Sequence, residues 1–89
     1  MASIDGGEVL ARALQNEGMD TVFSISDIAS SPFLRSIESL GFTHVGPRHE
    51  SAAVHMADGW ARSSGRMAVV GGAAGPGAAN LVPGVLCAW

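Results

Sequence analysis

The chain has 89 residues, 47% hydrophobic and 15% charged, which is room for one small domain and too little for a large self-sufficient core. Eight acids face five arginines and no lysine, for a net charge of −3. The arginines at 12, 35, 48, 62 and 66 are scattered, which excludes a basic patch for nucleic acid or anionic lipid.

The first element is a helix opening at Asp5, an N-cap residue, with Val9, Leu10, Ala13 and Leu14 on one face and Gly18 as its stop. "DTVFSI" (20–25) is a β-rich run between turn residues and predicts a strand. After the loop "SDIASS", Ser31 as N-cap and Pro32 as first helical residue start a second helix. That helix carries Phe33, Leu34, Ile37 and Leu40 and closes at Gly41. "FTHV" (42–45) is the second strand, broken by Gly46 and Pro47. The third helix runs from about Glu50 to Ser64, with Ala53, Met56, Ala57 and Trp60 at core spacing and Gly65 as its end. "MAVVGGAAG" is the third strand, and "PGAANLVPGVLCAW" predicts a fourth helix in which Pro83 fits only near the first turn or at a kink.

The order α-β-α-β-α-β-α predicts an α/β fold, with three layers and a parallel sheet built from right-handed βαβ units. The chain stops at Trp89 inside an apolar helix, so residues 1–89 are expected to be the front part of a larger domain. Cys87 is the only cysteine; it excludes a disulfide framework and reads as a small buried hydrophobe. The N-terminus "MASIDGGEVL" lacks the basic start and apolar core of a signal peptide, and no apolar run approaches a membrane span. A cytoplasmic protein is expected, consistent with the absence of disulfides.

Chemistry concentrates where strands hand over to helices, because ligands of open parallel sheets collect beyond the strands' carboxyl ends. "GPRHE" puts Glu50 in the first turn of a helix, where the helix dipole alone favours an acid. "GGAAGPGAAN" is a poor dinucleotide fingerprint: Asn80 stands where a third glycine belongs, and the run follows the third strand. Without lysine there is no Walker phosphate loop. "HESAAVH" lacks the His-Glu-x-x-His spacing; His49 and His55 would lie about 240° apart around a helix. His44 reads as a structural strand histidine, and Asp58 as an acid paired locally. No Gly-x-Ser-x-Gly elbow is present.

Three segments together resemble the N-terminal pyrimidine-binding domain of thiamine-diphosphate-dependent enzymes, of the acetolactate synthase and benzoylformate decarboxylase type. They are "GGEVLARALQNEGMDTVFSI", "RHESAAVHMADGWARSSGRMAVV" and "GPGAANLVPG", in the family's order and spacing over nearly the whole chain. "ADGWAR" matches the family's Ala-Asp-Gly-Tyr-Ala-Arg with Trp60 for tyrosine, and "GPGAAN" matches Gly-Pro-Gly-x-x-Asn. The resemblance implies that Glu50 is catalytic, bonding N1′ of the cofactor's aminopyrimidine and so promoting loss of the thiazolium C2 proton. It also implies that Ser26, Ala74, Gly75 and Asn80 line the cofactor pocket with Glu50.

A carboxyl sharing a proton with a ring nitrogen calls for a partly desolvated site and a raised pKa. The implied reaction is decarboxylation of a 2-keto acid, with protonation of the product or carboligation to a second carbonyl. The implied cofactors are thiamine diphosphate and Mg²⁺, the latter held by a Gly-Asp-Gly…Asn domain that this chain lacks. The site is then shared between subunits of a homodimer or homotetramer, and 89 residues alone are expected to be inactive. Three departures leave the keto acid unassigned. Ser24-Ile25-Ser26-Asp27 replaces Gly-x-Pro-Gly, Ser51 replaces glutamine, and no histidine occurs in 71–75. Flavin binding is likewise left open. The alternative reading is a non-catalytic α/β remnant that works by protein association.

Overall fold

A computed structural model describes residues 3–89. Helix α1 spans Gly6–Asn16, and the Asp5 side chain accepts the Glu8 N–H at its start. Gly18, at φ +86°, ends it: the Met19 N–H reaches back to the Leu14 carbonyl at 3.0 Å. Strand β1 is Thr21–Ser24, and all four of its residues are buried.

Helix α2 is Ser31–Ser39, beginning one residue before the expected first position. The Asp27 carboxylate accepts both the backbone N–H and the hydroxyl of Ser30, which winds the turn early and makes Ser30 the N-cap. Gly41, at φ +82°, repeats the stop seen at Gly18, with the Phe42 N–H on the Ile37 carbonyl at 2.9 Å.

Strand β2 is Thr43–Val45, helix α3 is Glu50–Ser64, and strand β3 is Val69–Gly71. The expected fourth helix is two: α4, Pro76–Ala79, and α5, Val82–Ala88. Pro83 lies in the first turn of α5, where its missing N–H costs no helical bond.

The sheet is parallel, in the order β2-β1-β3. Thr21 pairs with Thr43 on one side of β1, and Val22 pairs with Val69 on the other. Alternation along the strands separates two cores. Val22 and Val69 join Ala11, Ile37 and Phe42 beneath α1 and α2. Phe23 and Val70 face the other way, onto Ala53, Ala57 and Trp60 of α3. The outcome is the expected three-layer α/β architecture, with α5 packed on the outside of α3.

Three expectations fail in detail. Val9 and Leu10 are half exposed (54% and 50%), and Ala11 fills the core in their place, because the tight α1–α2 contact runs through Gly7. A Cβ on Gly7 would sit 2.5 Å from the Phe33 nitrogen. On α3, Met56 is exposed and Val54 is buried, because α5 docks on the Val54 side. Cys87 is exposed on α5 rather than buried, since the face of that helix meeting α3 is the one carrying Gly84.

Candidate functional site

Chain order puts the three strand-to-helix loops at one end of the sheet, with β1 between the strands that follow it in sequence. That is the position where open parallel sheets bind ligands. Two of these loops meet directly. Glu50 opens α3 just after β2, and Asn80 closes α4 just after β3. The Asn80 amide Nδ2 donates to Glu50 Oε1 at 3.2 Å.

His49 sets the entry angle of α3. It is the N-cap, and its Nδ1 accepts the Ser51 N–H at 3.1 Å. An imidazole acting as cap leaves the next residue, Glu50, in the first turn with its carboxylate near free backbone N–H groups. The Glu50 pKa is accordingly held below the ordinary glutamate value. The hydrogen bond from its own backbone N–H does most of this, and the Asn80 amide adds to it. Partial burial pushes upward and is outweighed, while His49 adds a smaller downward pull.

This corrects the expectation of a raised pKa. Glu50 is only half-buried, and two donors favour its charged form.

The glycines of the β3 loop serve close packing. A Cβ on Gly72 would lie 2.9 Å from the Gly77 carbonyl oxygen. One on Gly77 would lie 3.2 Å from Glu50 Oε2 and 3.0 Å from the Ala73 Cβ. Gly77 was not among the residues expected at the site; its only signal was its place in "GPGAAN". Gly75 takes φ +72° as the cap of α4, a left-handed conformation that requires glycine, and points into open space. Ala74 is exposed in the same turn.

Ser26 lies elsewhere. It lines an open depression of about 580 Å³ beside α2 and β2, with Arg35, Glu38, Phe42 and His44. His44 is tied to Ser24, its Nε2 lying 3.0 Å from both the hydroxyl and the carbonyl, which satisfies it as a structural residue. Asp58 pairs locally with Arg62 at 2.8 Å. The structure therefore joins Glu50 to Asn80 and Gly77, sets Ala74 and Gly75 in the adjoining turn, and leaves Ser26 on a different depression. Among the described residues, no cluster of three or more His, Cys, Asp or Glu side chains is arranged to hold a metal ion. Nor, among the described residues, is any helix long and apolar enough to cross a membrane.

The family described as "Thiamine pyrophosphate enzyme, N-terminal TPP binding domain" matches residues 4–89. The chain belongs to this family. Its relatives include the acetolactate synthase large subunit of Haemophilus influenzae, 41% identical over 90 aligned residues covering 100% of this chain and 16% of that protein. A probable acetolactate synthase large subunit of Methanocaldococcus jannaschii is 40% identical over 94% of the chain and 14% of its own length. A probable 2-ketoarginine decarboxylase of Pseudomonas aeruginosa is 39% identical over 93% of the chain and 15% of its own length. The chain thus spans about one sixth of the acetolactate synthase it matches at 41%. A strand-end carboxylate beside an amide donor gives this end of the sheet a polar anchor for a heteroaromatic ring such as that of thiamine pyrophosphate (thiamine diphosphate). A protonated carboxyl donates to a bare ring nitrogen, and an ionised one accepts from a protonated ring.

Proposed function

We propose that this chain forms the N-terminal portion of a pyrimidine-binding domain and contributes the activating carboxylate, Glu50, of an acetolactate synthase-like 2-keto-acid decarboxylase or carboligase. The observation that supports it is the Glu50 carboxylate, half-buried at the β2–α3 junction with Asn80 on Oε1. When bound, thiamine diphosphate supplies the carbanion chemistry that removes carbon dioxide from the substrate; the protein binds and orients it. Glu50 would hold the proton shared with the ring nitrogen: its protonated carboxyl would donate to the bare nitrogen, and its carboxylate would accept the N–H once the ring carries the proton. Ala74 and Gly75 border the ring's place, whereas Ser26 lines a different depression.

The diphosphate and its Mg²⁺ fall to a domain outside these residues, in a homodimeric or homotetrameric cytoplasmic enzyme. A second subunit covering Glu50 would remove water from the carboxylate and shift its pKa upward, reversing the direction set by this chain alone. The isolated 89 residues are inactive on this reading.

The test grafts these residues onto the Haemophilus influenzae acetolactate synthase large subunit in place of its matching segment, with and without Glu50→Gln. Pyruvate turnover is assayed with thiamine diphosphate and Mg²⁺. Turnover by the graft and a loss of about 10²-fold or more in the variant support the reading. A correctly assembled graft that binds no cofactor favours the remnant that acts by association. The isolated chain, titrated calorimetrically with the cofactor and Mg²⁺, is expected to show no binding.

A further inference from the structure

Glu50 presents two carboxylate oxygens, and the structure does not treat them alike. Asn80 Nδ2 stands 3.2 Å from Oε1. Gly77 stands beside Oε2, at a distance where any side chain would intrude. We propose that Asn80 is a positioning residue that engages Oε1 of Glu50, leaving Oε2, the oxygen beside Gly77, to meet the ring nitrogen of the ligand. The inference rests on the functional reading above and adds which oxygen is used and what keeps the other out of the reaction.

The amide orientation follows from chemistry. An ionised carboxylate only accepts hydrogen bonds, so the NH₂ end of Asn80, rather than its carbonyl, must face Oε1. The backbone beneath it is fixed, because the Asn80 N–H closes α4 on the Pro76 carbonyl at 2.9 Å. Glu50 is equally fixed as the first residue of α3 behind the His49 cap. With both ends anchored, the amide restricts rotation of the carboxylate about its terminal bond.

Gly77 is buried against Oε2, and that close approach depends on residue 77 having no side chain. A Cβ there would meet both Oε2, at 3.2 Å, and the Ala73 Cβ, at 3.0 Å, so it would press the carboxylate out of its present position by a few tenths of an ångström. The Glu50 pKa is lowered first by its own backbone N–H and next by the Asn80 amide.

A purely structural tie between α4 and α3 would move the titration as well, so the same variants are also read in the active graft for thiamine diphosphate affinity, which such a tie alone would leave unmoved. The first measurement is ¹³C NMR of the chain labelled at glutamate Cδ, followed through pH for wild type, Asn80→Leu and the near-isosteric Asn80→Asp. Under the proposal the Glu50 midpoint rises in Asn80→Leu and rises further in Asn80→Asp, where a like charge replaces the donor. An unmoved midpoint in both variants overturns the clamp. Should Asn80→Leu fail to fold, Asn80→Ala, which removes the donor and adds no charge, decides in its place.

The second measurement is thiamine diphosphate affinity in the active graft carrying Gly77→Ala. A loss of about tenfold or more, with the Glu50 midpoint in place, supports Oε2 as the reacting oxygen. Undiminished affinity overturns that assignment. Failure of the wild-type graft to bind cofactor would sink the functional reading and leave the titration result standing.

Discussion

The two faces of the sheet are built to different ends. Beneath α1 and α2, Ile37 and Val22 are fully buried branched side chains, joined by Phe42 and Leu34 in a core of large residues. Beneath α3 the contacts are Ala53, Ala57 and the edge-on pair Phe23–Trp60, and α5 reaches α3 only because Gly84 has no side chain. Small residues sacrifice buried area and let backbones come close, which is what brings α4 and Asn80 within hydrogen-bond reach of Glu50. One face supplies the larger share of stability; the other supplies geometry.

The sharpest way to break this contrast is Ile37→Ala, which should cost about 2–5 kcal/mol in denaturant melts, since the side chain is wholly enclosed. On the other face, Gly84→Ala would place a Cβ 2.5 Å from that of Val54. A loss of about 1–3 kcal/mol is expected, with new amide-exchange lability confined to α5. Gly59, in the same helix as Val54, meets nothing within 4 Å, so Gly59→Ala should stabilise by about 0.5–1 kcal/mol. Equal effects from the two glycine replacements would contradict the close-packing account of the α3 face.

The smallest effect concerns acid. The Arg66 guanidinium beside Asp20 holds that carboxyl below its ordinary range, with Thr21 assisting. A depressed carboxylate contributes stability above its unfolded pKa and loses it as pH falls through the folded value. Asp20→Asn should therefore lower stability slightly at neutral pH and give a shallower decline on acidification, read from melting temperature against pH. Both groups are half exposed at this pair, so the change at high salt should be smaller still.

Gly18, Gly41 and Gly65 all end helices where the sequence puts them, each with positive φ, because a left-handed stop is a local demand that glycine meets locally. The start of α3 at Glu50 was legible for the same reason, and so was the parallel sheet, since strands alternating with helices admit few other arrangements. Exposure of Met56, Val9 and Leu10 was not legible. Helical spacing names a stripe, but neighbours such as α5 and Phe33 decide which edge of the stripe is covered.

The functional site divides in the same way. Chain order and residue type by themselves determined that an acid stands at a strand-to-helix junction in a three-layer α/β fold, because those properties are written within short segments. That its pKa is held below the ordinary glutamate value, that one of its oxygens is tied to an amide 30 residues away, and that Gly77 packs against the other were decided only by tertiary structure. A pKa and an open space depend on atoms brought together from distant parts of the chain, and no local pattern encodes their distance.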